Sequence, residues 1–245
     1  MNSRYLPATA AALVLVLAAG TSAAQESLPA RSGAFTVSPL RIDLPQSADH
    51  AVLTLSNALD RESAVQIRVF AWQQDRGIDR FVPSQDFIVS PSIFRLAPGS
   101  AQQFHIIGQR AFSGAQEARF RIVIDQLPAS VMRADQAAMT RLQLTLPLFV
   151  GSEQAPPARL SASVAGTRVS VANAGGRTAR IGSLVLIAAD GRRWPIGLDT
   201  GRYVHGQSTV TYEVPGFDCT RAGPVRVAGM VDRARFDVVP QSSCP

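Results

Sequence analysis

Short runs of alternating polarity, each closed by turn residues, dominate this sequence, and no helical period appears after the first 24 residues. Apolar side chains at every second position give a strand one face for a core and one for solvent. Ser63 to Trp72 is the clearest case. Val65, Ile67, Val69 and Ala71 share one face, and Gln66, Arg68, Phe70 and Trp72 take the other. The same pattern predicts strands over 35–44, 51–57, 91–96, 103–108, 118–127 and 140–150. Pro39 lacks an N–H, so it suits an edge or a switch between sheets. Seven short strands in about 120 residues match an immunoglobulin-like sandwich. The Gly- and Pro-containing segment 151–157 reads as a linker. Strand patterns resume at Ala158, with turns at Ala165-Gly166-Thr167, at Asn173-Ala174-Gly175-Gly176 and at Asp190-Gly191. The expected fold is all-β: two immunoglobulin-like β-sandwich domains in tandem, joined at an angle, over residues 25–151 and 152–245.

The first 24 residues read as a signal peptide. Arg4 precedes an apolar run ending at Gly20, and Ser22 and Ala24 offer small residues for cleavage after Ala24. The run falls short of the ~20 residues a spanning helix needs, so no membrane span is expected. An exported chain meets an oxidising compartment, and a local disulfide is expected between the only cysteines, Cys219 and Cys244. Closing that loop of roughly 25 residues is worth about 3 kcal/mol in the chain-entropy view.

The formal net charge is +6, or +5 once Arg4 leaves, and every basic residue is arginine. The arginines are scattered through both halves, unlike the clustered basic face of a nucleic-acid binder, so no nucleic acid is expected as a partner. No GxSxG, HExxH, Walker or GxGxxG motif occurs. His50, His105 and His205 have no acidic or nucleophilic partner at a suggestive spacing, and His105 reads as an ordinary half-exposed strand residue. The expectation is a protein that is not an enzyme and needs no cofactor.

Four segments in order carry a resemblance. They are Ile88 to Gly99 (IVSPSIFRLAPG), Arg41 ahead of Leu53 to Asn57 (LTLSN), a long strand ending in Ala71-Trp72, and Phe120 to Leu127 followed by Pro128. Together they resemble the N-terminal domain of periplasmic pilus-assembly chaperones of the chaperone–usher pathway. Arg141 to Val150 is similar to the strand ending of the archaic, non-classical branch. The resemblance implies a periplasmic chaperone that lends a β-strand to an incomplete pilus subunit and delivers it to an outer-membrane usher, with a self-capping homodimer as a state of the free chain. It also implies an arginine on the first strand, matched by Arg41, that anchors the subunit's terminal carboxylate. The family's second anchor is a lysine, which this chain lacks; Arg141 lies near that place, and guanidinium binds carboxylate bidentately. The lent segment falls on 131–140, with Met132, Ala134 and Met139 as the residues entering the subunit. Leu142, Leu144 and Leu146 share one face and are expected in the core. Glu117 matches an acidic residue of the family's domain-orienting network, but its arginine partner would fall at Leu146, so Glu117 is expected to be a surface glutamate. Two other readings stay open. One is an exported adhesion or carbohydrate-binding module using Trp72 and Trp194 as platforms. The other is a hydrolase using His105 or His205.

Overall fold

A computed structural model of the chain describes residues 35–128, 142–198 and 202–242. The expected signal peptide, Met132, Ala134, Met139, Arg141 and Cys244 lie outside them. The first sandwich is built from β1 (Phe35–Ser38), β2 (Ile42–Leu44), β3 (His50–Asn57), β4 (Ser63–Asp75), β5 (Ile78–Pro83), β6 (Phe87–Ser90), β7 (Ile93–Leu96), β8 (Ala101–Gly108), β9 (Ala118–Gln126) and β10 (Gln143–Val150). One sheet runs β1-β3-β8-β6; the other runs β2-β10-β9-β4-β5, with β7 also paired to β4. The predicted strand over 35–44 is therefore two strands in different sheets, and the chain crosses between them at Pro39. β5 and β6 have no counterpart in the sequence reading; β5 is exposed along most of its length and shows no alternation.

Alternation places the core. Leu53 and Leu55 of β3, Val65 and Ile67 of β4, Phe104 and Ile106 of β8, Ile122 and Ile124 of β9, and Leu146 and Leu148 of β10 are buried between the sheets. Leu142 and Leu144 pack against them half-buried. Each fully buried aliphatic side chain contributes about 1.5–3 kcal/mol.

The second sandwich comprises β11 (Leu160–Ala165), β12 (Arg168–Asn173), β13 (Ala179–Ala188), β14 (Arg193–Pro195), β15 (Tyr203–Val204), β16 (Ser208–Glu213), the four-residue α1 (Cys219–Ala222), β17 (Val225–Val231), β18 (Ala234–Val238) and β19 (Gln241–Ser242). Its sheets run β16-β12-β11-β19 and β14-β13-β17-β18, with β15 paired to β13. Asp218 caps α1 by accepting from Thr220 N, and Cys219 is buried beneath it.

Each sandwich carries the same asparagine clasp at the end of a strand. Asn57 Nδ2 donates to the carbonyls of Arg61 and Leu96, and its Oδ1 accepts from Leu59 N. Asn173 Nδ2 donates to those of Arg177 and Val204, and its Oδ1 accepts from Gly175 N. In both, one buried amide satisfies backbone groups that the ladder leaves unpaired.

Candidate subunit-binding edge and arginine row

β10 pairs with β9 along its whole length, Gln143 opposite Asp125 through Val150 opposite Ala118. On its other side β2 pairs with it, in parallel, only at Leu148, Phe149 and Val150. Gln143 to Pro147 therefore keep one side free of strand partners among the described residues, and that side leads back toward residue 141.

Register also sorts the side chains of this sheet. Leu146, Leu148 and Val150 face the first core, so Pro147 and Phe149 face away from it. Arg121 lies opposite Pro147 on β9. Arg41 immediately precedes Ile42, which lies opposite Leu148. Two arginines thus stand on either side of Pro147, in one row on the outward face.

Arg41 Nε and Nη2 donate to the two carboxylate oxygens of Asp43, both at 2.7 Å. Its guanidinium leans on the Phe149 ring, 4.5 Å from the centroid. The Asp43 hydrogen bonds hold its pKa above the ordinary arginine value. A guanidinium has five N–H donors, so three remain for another acceptor.

Arg121 was not anticipated from the sequence. Its guanidinium lies 3.6 Å from the centroid of Trp72 and 4.9 Å from that of Tyr203. Its Nε is buried with no hydrogen-bond partner, as are Trp72 Nε1 and His205 Nε2. Burial pushes the Arg121 pKa below the usual value, and Tyr203 and Asp79 oppose that shift. No carboxylate of the described residues forms an ion pair with it, whereas Asp125 neutralises Arg68 and Asp86 neutralises Arg110. The second sandwich supplies the far wall. Tyr203 meets Trp72 edge-on at 5.1 Å, His205 meets it at 4.4 Å, and Tyr203 lies 6.3 Å from Phe149. Burial, helped by Arg119 and Arg121, pushes the His205 pKa down to about 3.

Glu117 corrects the sequence reading: it is not a surface glutamate, since its side chain is 1% exposed. Its Oε1 accepts from Thr178 N at 2.9 Å, from Thr178 Oγ1 at 2.5 Å and from Arg119 Nε at 3.1 Å; its Oε2 accepts from Ser152 Oγ at 2.7 Å. Arg119 also donates to Gly176 O at 2.9 Å. An acidic residue of the first sandwich is thus buried against the second, with threonine, serine and the adjacent Arg119 as its partners. The segment read as a linker is likewise clipped down: Gly176 N and Arg177 N donate to Pro156 O, and Arg177 Nε donates to Ala155 O.

Trp72 is buried, and Trp194 is half-buried, edge-on to Phe217 and covered by Arg192. Neither offers the open aromatic platform that a carbohydrate-binding reading asks of it. Among the histidines, His50 and His105 come together on the outer face of the first sheet, Nε2 to Nδ1 at 2.8 Å. His105 is exposed there. No helix of the described residues is long and apolar enough to cross a membrane.

No curated protein matches the chain in sequence. Among solved structures, the CsuC–CsuE chaperone–tip adhesion subunit pre-assembly complex from archaic chaperone-usher Csu pili of Acinetobacter baumannii matches at a TM-score of 0.64 and 18% identity, over 85% of this chain and 98% of that one. The Salmonella enterica SafA pilin in complex with the SafB chaperone matches at 0.63 and 17%, over 85% and 97%. The Pseudomonas aeruginosa CupB2 chaperone matches at 0.57 and 20%, over 82% and 97%. These likenesses show the two-sandwich fold. Residues 34–154 match the profile of pili and flagellar-assembly chaperones, PapD N-terminal domain. The first sandwich therefore belongs to the family of pilus-assembly chaperones.

Proposed function

We propose that this chain is a periplasmic chaperone of the archaic branch, which stabilises a pilus subunit by lending it a strand and releases it to an outer-membrane usher. The half-open edge of β10, ending beside the arginine row, carries the reading. A subunit lacking its last strand exposes unpaired backbone groups, and strand addition satisfies them. Residues 131–140 precede the open edge in the chain and supply Met132, Ala134 and Met139 to the subunit's groove; methionine adapts to grooves of different shape. The subunit's terminal carboxylate is held by Arg41, by Arg121 across Pro147, and by Arg141 directly after the lent segment. Charge-assisted bonds from partly buried guanidinium groups are the strong kind. When no subunit is present, a second copy of the chain covers the same edge. Cys219 pairs with Cys244, and the domain boundary falls between Gly151 and Ser152. The protein acts by binding, as a chaperone and not an enzyme.

Co-expression with a pilin in a bacterial periplasm tests this. A one-to-one complex is expected to co-purify, and to be lost when Arg41→Ala and Arg121→Ala are combined while the chaperone itself still accumulates folded. A complex that survives the double change removes these two arginines from carboxylate binding. No complex with any pilin encoded beside it overturns the chaperone reading.

A further inference from the structure

β4 outruns its partner. Its pairing with β9 ends at Ala71 opposite Phe120, yet the strand continues to Asp75, paired only with β5. The β4–β5 hairpin therefore overhangs the first sandwich. Its tip is Arg76-Gly77, with φ of 49° and 79°. Two positive φ values in succession belong to the tight two-residue hairpin turn, and glycine adopts them without cost from a Cβ. Gly77 has a second reason to be glycine. A Cβ there would stand 3.0 Å from Thr209 O and 3.1 Å from Val210 Cα. The tip lies flat on the backbone of β16, an edge strand of the second sandwich.

Three residues back, Gln74 grips a second strand. Its Nε2 donates to Tyr203 O at 2.9 Å and to Asp79 Oδ1 at 3.0 Å; its Oε1 accepts from His205 N at 3.1 Å. Gln74 thus takes Tyr203 O and His205 N, the backbone of the segment whose side chains pack on Trp72 beside Arg121.

We infer that the β4–β5 hairpin is a strut between the sandwiches, and that Gln74 and Gly77 are positioning residues that hold Tyr203 and His205 against the arginine row. The second half of that statement rests on the proposed carboxylate site; the first does not. A site assembled before its ligand arrives loses less freedom on binding, so loosening the strut weakens binding without removing a contact.

The full chain with Gly77→Asn tests it. Asparagine tolerates the left-handed backbone, so the change adds bulk against β16 with little turn strain. Gly166→Asn is the control, because Gly166 also has a positive φ, 59°, and nothing within 4 Å of its Cβ position. Gln74→Ala removes the grip alone. Residual dipolar couplings report the relative orientation of the sandwiches, and a synthetic pilin C-terminal peptide, as free acid and as amide, reports the pocket. Gly77→Asn and Gln74→Ala are each expected to change the inter-sandwich couplings while each sandwich keeps its own. Both are expected to weaken free-acid peptide binding by about tenfold. Gly166→Asn is expected to do neither. Couplings unchanged in both hairpin variants overturn the strut. Changed couplings with undiminished preference for the free acid overturn the positioning role. A parent chain that does not prefer the free acid refutes the carboxylate site and leaves the strut to be judged by the couplings.

Discussion

His205 shows what burial against a neighbour does to a single side chain. It sits between Trp72 and two arginines, with its pKa pushed down to about 3. In the unfolded chain it takes a proton near pH 6.5. Between those values the unfolded state binds more protons, so stability falls as pH drops from 6.5 toward 3 and is flat in this respect above 6.5. The slope is at most about 1.4 kcal/mol per pH unit. His205→Gln is expected to remove that part of the slope, seen by comparing urea unfolding of the two proteins at pH 7 and pH 4.5. Equal slopes would mean that His205 is protonated in the folded chain. Such residues were hard to read in the sequence. Arg121 and Trp72 lie on strands, and Glu117 just ahead of β9, at positions that alternation assigns to solvent or to either face. Their partners in the second sandwich, Thr178, Tyr203 and His205, lie 61 to 133 positions away in the chain. Arg41 was singled out because its spacing to Asn57 belongs to a family pattern rather than to local physics.

Strands with clean alternation, such as β3, β4 as far as Trp72, and β8, were foreseeable from sequence; the Arg76-Gly77 turn that closes β4 was not. β5 was not, since its side chains are exposed on both faces and carry no period. α1 is too short for a helical period to show. The most consequential element, β10, was read as a strand, but its half-used edge is a matter of pairing that no single strand's sequence contains. The segment ahead of it is proposed to enter an apolar groove, where a charge costs far more than in water. Aspartate at both Met132 and Met139 is therefore expected to cut the yield of chaperone–subunit complex to about a tenth or less. The free chaperone's thermal midpoint is expected to stay where it was. A full yield of complex would place the lent residues elsewhere in the segment.

At the scale of the whole molecule, the Glu117 network is expected to decide whether the two sandwiches unfold as one body. Hydrogen bonds to a buried charged group are worth roughly 1.5–3 kcal/mol each, and Glu117 accepts four, three of them from beyond the first sandwich's own strands. Glu117→Ala is expected to split a single calorimetric transition into two, because it leaves Thr178 N and Ser152 Oγ without their acceptor. One transition at an unchanged midpoint would show that the linker contacts suffice. The placement of β2 has a different consequence. It occupies the last three rungs of the β10 edge. A guest chain laid in parallel along the free rungs meets β2 end-on at Ile42, where Arg41 stands. On the proposed function there is no rung for a further residue, so the fold would measure where a polypeptide stops rather than what it is made of. An affinity tag on the subunit's carboxyl end is then expected to block the complex, and one on its amino end is not.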